Sequence, residues 1–221
     1  MTVEQYKNEF ISILNSLKVD ANIEGLIKFL EEHNFFTAPS STQYQYSFEG
    51  GLCAQSIAIY RIFSDLAHKF LVNYELTVDD KGNEVQVPKY LFDEDSIIIL
   101  GLLCMVYKMD YYEMYIKNEK YYSDKGSKCD NLGKFDWVST KAYKVKDIQE
   151  RMLFGDGAFT SYMLVNRFIP LTELESIIMV NYSCGIENGY QVKEMWGLMS
   201  KYPLLTLLHS ANLISNSLPE I

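Results

Sequence analysis

The chain has 221 residues, 48% of them hydrophobic, with 17 Tyr and 12 Phe and a formal net charge of -9. Such a length buries a core without disulfides or metals as staples, and the apolar content excludes disorder. The acidic balance argues against general binding to a nucleic-acid backbone, which needs a basic face.

No apolar run reaches the roughly 18 residues needed to span a bilayer, and "MTVEQYKNEF" lacks a basic-then-apolar signal pattern. A cytoplasmic protein without membrane contact is expected. Cys53, Cys104, Cys129 and Cys184 are far apart and form no CxxC pair. They read as reduced, mostly buried cysteines rather than a disulfide frame or a zinc site.

In chain order, Phe10, Ile11, Leu14 and Leu17 set a first helix within residues 1–17. Asp20 or Asn22 caps a second that ends near Asn34. "FFTAPSSTQ" breaks regular structure. Gly51 to about Tyr74 carries apolar positions suited to a long helix. Residues 75–92 read as a turn at "DDKGNE" and extended chain. Asp93 or Asp95 caps a helix from about Ser96 to Met109, apolar nearly all round and therefore central.

Residues 110–150 are rich in Tyr, Lys and Asp, and are expected to form a β-hairpin or irregular excursion. The lysines from Lys117 to Lys146 are interleaved with acids and read as a solvated surface. Gly157 to Phe168 reads as a helix stopped before Pro170. Thr172 caps another through about Tyr182, with Glu175 in the capping-box position. Gly185 and Gly189 mark a loop, and Pro203 opens a final helix to about Ser217. The expectation is one mostly α domain over 1–221: N-terminal helices (1–34), a helical core (51–109 and 154–217) and the excursion, with six or seven helices in all.

Four stretches then carry a resemblance: "FFTAPSSTQYQYSFEGGLCAQSIAIY" (35–60), "IIILGLLCMVYKMDYY" (97–112), "FGDGAFTSYMLVNRFIPLTELESIIM" (154–179) and "YPLLTLLHSANLIS" (202–215). In this order they resemble the HD-domain phosphohydrolase superfamily, in the form common in phage and prophage genomes. The resemblance implies a helical bundle. It also implies a site where two histidines and two aspartates hold divalent metal, which activates water for attack on phosphorus.

At every one of those positions this chain has another residue. Gln55 stands where the family has the first histidine, Cys104 and Met105 where it has adjacent His and Asp, and Asn212 where it has the last Asp. The accessory histidine positions hold Gln45, Asp156, and Tyr182 or Ser183. Gln and Asn keep size and polarity but supply no anionic charge, so no metal or other cofactor is expected.

Other residues carry competing readings. His33 and His68 read as surface or helix-end residues, and His209, one turn before Asn212, as a candidate for the pocket wall. Asp110, Glu113, Glu119 and Asp124 have no ligand spacing. Asp156 sits at a helix start, as an N-cap or a pocket group, and Glu49 near a positive helix end. Lys108 follows Cys104 by one turn and either borders the pocket or snorkels outward. Tyr111-Tyr112 and Tyr121-Tyr122 suit stacking on bases or contact with a protein.

The expected function is a catalytically inactive HD-like pseudoenzyme that engages a protein partner, a host factor if the source is a phage. The alternative is nucleotide binding through Gln45, Gln55, Lys108 and Asn212. A rebuilt hydrolase using Asp156, Asp110 or Glu49 is a third reading.

Overall fold

The computed structural model describes residues 1–78, 83–151, 157–182 and 192–218. The first helices follow the capping logic. Thr2 and Gln5 close a capping box on α1 (Val3–Leu14), and Asn22 caps α2 (Ile23–Glu32) through its side-chain oxygen. Phe10 and Leu14, Leu26 and Leu30 are the buried stripes.

Helix α3 (Gly51–Phe70) is the spine, packed most extensively against α4 (Glu94–Leu103) and α8 (Pro203–Ser217). Asp93 caps α4, and Ser96 to Leu103 are buried without a break. That continuous burial is the central position that an all-round apolar helix requires. The helix stops short of the expected Met109. After Leu103 the chain tightens into a 3-10 turn over Val106–Lys108. It then reverses at Asp110, whose φ is 56° and whose carboxylate meets His33 Nδ1 at 2.9 Å and accepts from Asn34 Nδ2 at 3.0 Å.

Helices α5 (Ala158–Val165), α6 (Glu173–Asn181) and α7 (Val192–Lys201) complete the body. Thr172 and Glu175 form the expected capping box on α6. Glu175 also accepts a hydrogen bond at 2.7 Å from Ser96 Oγ, tying α6 to α4. Asp95 does the same for the loop after α1, accepting from the backbone of Lys18 and Val19 at 3.0 and 2.8 Å. Helix α7 is absent from the sequence reading, and the loop expected at Gly185 and Gly189 lies outside the described residues.

The expectation of a mostly α fold is overturned. Beside eight helices (48% of the chain), the described residues form two antiparallel sheets (21%), so the fold is mixed. The first sheet pairs β1 (Val72–Val78) with β2 (Glu84–Tyr90), where a helix to about Tyr74 and then a turn and extended chain were expected. The second holds β3 (Tyr112–Tyr122), β4 (Lys128–Asp130) and β5 (Gly133–Val145) in the order β3-β5-β4.

Both sheets project from the body, and almost every residue of β1, β2 and β3 is exposed. Each excursion leaves and re-enters the body through one backbone pair: Leu91 N–H donates to Leu71 O at 2.9 Å, and Lys146 N–H donates to Tyr111 O at 3.0 Å. No helix among the described residues is long and apolar enough to cross a membrane.

Candidate functional site

The Gly-Gly pair before α3 is a steric requirement. Gly50 has φ 86°, in the left-handed region that disfavours any side chain. A Cβ on Gly51 would lie 2.0 Å from the carbonyl oxygen of Tyr46. The loop is laced to the helix start by Gly50 N–H to Thr37 O and Leu52 N–H to Ala38 O, both at 3.0 Å. Ser40 N–H also donates to Tyr46 O at 2.9 Å. This lacing brings Ser40 over the first turn of α3.

Gln55, on that turn, is buried at 1% exposure. Its Oε1 accepts from Ser40 Oγ, and its Nε2 donates to Asn216 Oδ1 at 2.9 Å. Asn216 Nδ2 in turn donates to Asn212 O at 2.9 Å and Asn212 Oδ1 at 3.1 Å. On the other side, Lys108 Nζ donates to Ser40 O at 2.9 Å, and Tyr112 Oη donates to the same carbonyl at 3.0 Å. The chain Asn212–Asn216–Gln55–Ser40–Lys108 therefore joins α8, α3 and the turn after α4 through neutral amides, one hydroxyl and one ammonium.

Lys108 makes no ion pair among the described residues, and burial pushes its ammonium down to about 8. Replacing Gln55 by Met is expected to cost about 1–2 kcal/mol, because the Ser40 hydroxyl and the Asn216 carbonyl lose their partner. Urea unfolding of the variant checks this, and an unchanged midpoint would mean the chain of bonds contributes nothing.

Cys104, Met105 and Tyr182 form a second, apolar group behind it. All three are buried. Tyr182 Oη donates to Met105 Sδ at 3.1 Å, and Ser161 Oγ donates to Cys104 O at 2.7 Å. Burial raises the Cys104 thiol to about 12 and the Tyr182 phenol well above its usual range, with Cys104 as a further cause for Tyr182. Neither is a thiolate or phenolate at neutral pH.

The remaining expected site residues are scattered. Glu49 is exposed, 3.9 Å from Lys141 of β5. Gln45 and His209 are half-buried, and Gln45 Oε1 and His209 Nε2 are enclosed without a hydrogen-bond partner. Asp156 and Ser183 lie outside the described residues.

Asp110 is held by His33 and Asn34, with Lys146 at 3.7 Å, so it anchors the start of the second excursion. No group of three or more His, Cys, Asp or Glu among the described residues could hold a metal ion. Ser40, Asn216 and Ser161 carry no reading in the sequence, and Tyr112 was read there as a stacking or contact residue, not as a partner of Ser40. Of these only Asn216 had a local signal, one helical turn beyond Asn212.

The described residues also outline a cleft of about 260 Å³ between α1 and α3. Tyr6, Tyr46, Ala54, Ile57 and the Glu9–Arg61 ion pair line it. It lies apart from the amide network.

Comparison with known protein families, with curated proteins and with solved structures finds no match for this chain.

Proposed function

We propose that the chain is a binding protein on an HD-like helical body, without metal hydrolysis, and that it engages a protein partner. The observation that carries this reading is the β3–β5 ribbon. It stands clear of the core with Met114 (51% exposed), Ile116 (59%), Tyr121 (64%) and Trp137 (51%) in solvent. A ribbon with apolar and aromatic groups open on both faces buries too little to account for itself, and contiguous exposure of this kind marks an interaction surface.

Lys120 lies 4.4 Å from the Phe135 ring centroid and is also paired with Asp130, which holds the base of the patch in one arrangement. The site region supports the same reading from the other side. Gln55, Asn212 and Lys108 spend their hydrogen bonds within the chain, and Cys104, Met105 and Tyr182 fill the space behind them.

Elemental analysis of the purified chain is expected to find no stoichiometric Mn, Fe, Ni or Zn, and one metal per chain would sink the reading. Affinity capture from the cells in which the protein acts is expected to retain a protein that the Trp137→Ala variant loses. Equal capture by both would remove the ribbon face as the interface.

The nucleotide-binding reading keeps one supporting observation: the Lys108 ammonium has no carboxylate partner among the described residues. A nucleotide phosphate pairing with it would raise the melting temperature. A flat thermal-shift response across a nucleotide panel would dispose of that alternative.

A further inference from the structure

Among the described residues, strand β3 has no strand on one side along its 11 residues. Backbone groups in an antiparallel pair alternate between facing the partner strand and facing away. The β3–β5 register, Tyr112 opposite Val145 through Tyr122 opposite Phe135, runs without interruption. It extends at both ends into hydrogen-bonded pairs. Lys146 N–H donates to Tyr111 O, and Ser123 N–H donates to Lys134 O, both at 3.0 Å.

Tyr111 and Ser123 are odd-numbered, so the odd residues face β5. The unpaired N–H and C=O groups on the free edge belong to Tyr112, Met114, Ile116, Asn118, Lys120 and Tyr122. Edges of this kind are normally guarded, and the other ribbon shows such a guard. The Leu71–Leu91 pair continues the β1–β2 register, so even residues of β2 face outward, and Pro88 among them offers no donor. β3 contains no proline, and its lysines are neutralised nearby, Lys117 by Glu119 and Lys120 by Asp130.

An antiparallel copy of β3 can meet this edge only with even residues opposite even residues. Centring the pair on Lys117, Glu119 or Lys120 sets that charge against itself. Centring it on Ile116 sets Glu113 against Glu119. Centring it on Asn118 sets each Lys117 opposite Glu119, each Tyr115 opposite Tyr121 and each Met114 opposite Tyr122. Directly opposed unlike charges and aromatic pairs are the favourable cross-strand combinations. About Asn118 the sequence from Met114 to Tyr122 is thus complementary to itself at three of its four paired positions, the fourth setting Ile116 opposite Lys120.

We propose that β3 pairs antiparallel with β3 of a second copy about a twofold axis at Asn118, making one continuous sheet of six strands. The contact is isologous, as a twofold dimer requires. It uses the ribbon's edge and leaves both faces open, so it is independent of the partner reading above.

Sedimentation equilibrium of the full chain is expected to show twice the chain mass of 25.6 kDa, falling to one chain on dilution. Asn118→Pro removes an outward backbone donor and no β3–β5 backbone bond, at the loss of the exposed side-chain bond from Ser139 Oγ to Asn118 Oδ1, so it is expected to abolish the dimer while leaving the far-ultraviolet circular dichroism unchanged. Lys117→Glu and Glu119→Lys are each expected to weaken association at least about tenfold, and the combined exchange to restore it. A chain that stays single at all concentrations overturns the proposal. So does a dimer that neither charge exchange moves, and this second arm decides the matter even if Asn118→Pro fails to fold.

Discussion

Gly51→Ala is expected to lower stability by about 3 kcal/mol or more. The new methyl would sit 2.0 Å from Tyr46 O, 2.7 Å from Tyr46 C and 3.1 Å from Tyr46 Cα. These are backbone atoms, so no flexible side chain can step aside. Relief requires moving Tyr46, whose φ is already 63° and whose carbonyl accepts the Ser40 N–H. The damage therefore spreads from packing to the polar network, because Ser40 is the hub on which Gln55, Lys108 and Tyr112 converge.

Each kcal/mol corresponds to roughly 2–4 °C in melting temperature for a chain of this size, which puts the expected drop at about 6–12 °C. Gly197→Ala is the control, since an added Cβ there meets nothing within 4 Å. It sits inside α7, where alanine is the better helix former, so a small gain is expected. A Gly51→Ala protein as stable as that control would refute the close approach of loop and helix.

The second large effect is on pH dependence. Burial lowers the Lys108 ammonium from its ordinary 10.5 to about 8 in the folded protein. Between those values the unfolded chain holds the proton and the folded chain does not, so stability rises with pH across that window. Below pH 8 both states are protonated, and the full cost of burying the charge, about 3 kcal/mol, is present. Lys108→Met removes that cost together with a hydrogen bond to Ser40 O worth about 1 kcal/mol.

The variant is thus expected to be more stable than the parent at pH 7, and to lose that advantage by pH 10. Comparing urea midpoints of the two proteins at both values cancels groups that titrate alike in each. A difference that does not change with pH would show that Lys108 is not buried as a charge.

Local chemistry was legible in the sequence wherever the structural cause is itself local. The caps at Asn22, Asp93 and Thr172 follow from side chains that reach a backbone N–H within three residues. The central place of α4 follows from an apolar run that no surface helix would carry.

The strands were legible only in part, as extended chain over 75–92 and as a hairpin or irregular excursion over 110–150, for the opposite reason. Alternation in sequence records burial of one face, and β1, β2 and β3 bury neither, so their defining pairings, Val72 with Tyr90 or Tyr112 with Val145, leave no periodic trace. The reversal at Asp110 that follows α4 is held by His33 and Asn34, groups some 76 residues away along the chain. Gln55 and Asn212 were singled out through the resemblance, and Lys108 by its one-turn spacing from Cys104. Their partners Ser40 and Tyr112 lie in a loop and a strand that only tertiary structure brings close, so the network could not be read in one dimension.

Because each ribbon departs and returns through a single backbone pair, Leu71 with Leu91 and Tyr111 with Lys146, the helical body closes without them. In topological terms they are insertions in the helical body. A change of length at either tip costs only the slowly growing entropy of a longer loop, about 0.6 kcal/mol per doubling, and leaves the helix contacts around Gln55 untouched. A chimera carrying another ribbon on the same two pairs is expected to fold as this one does, provided that it keeps Tyr112, whose hydroxyl donates to Ser40 O.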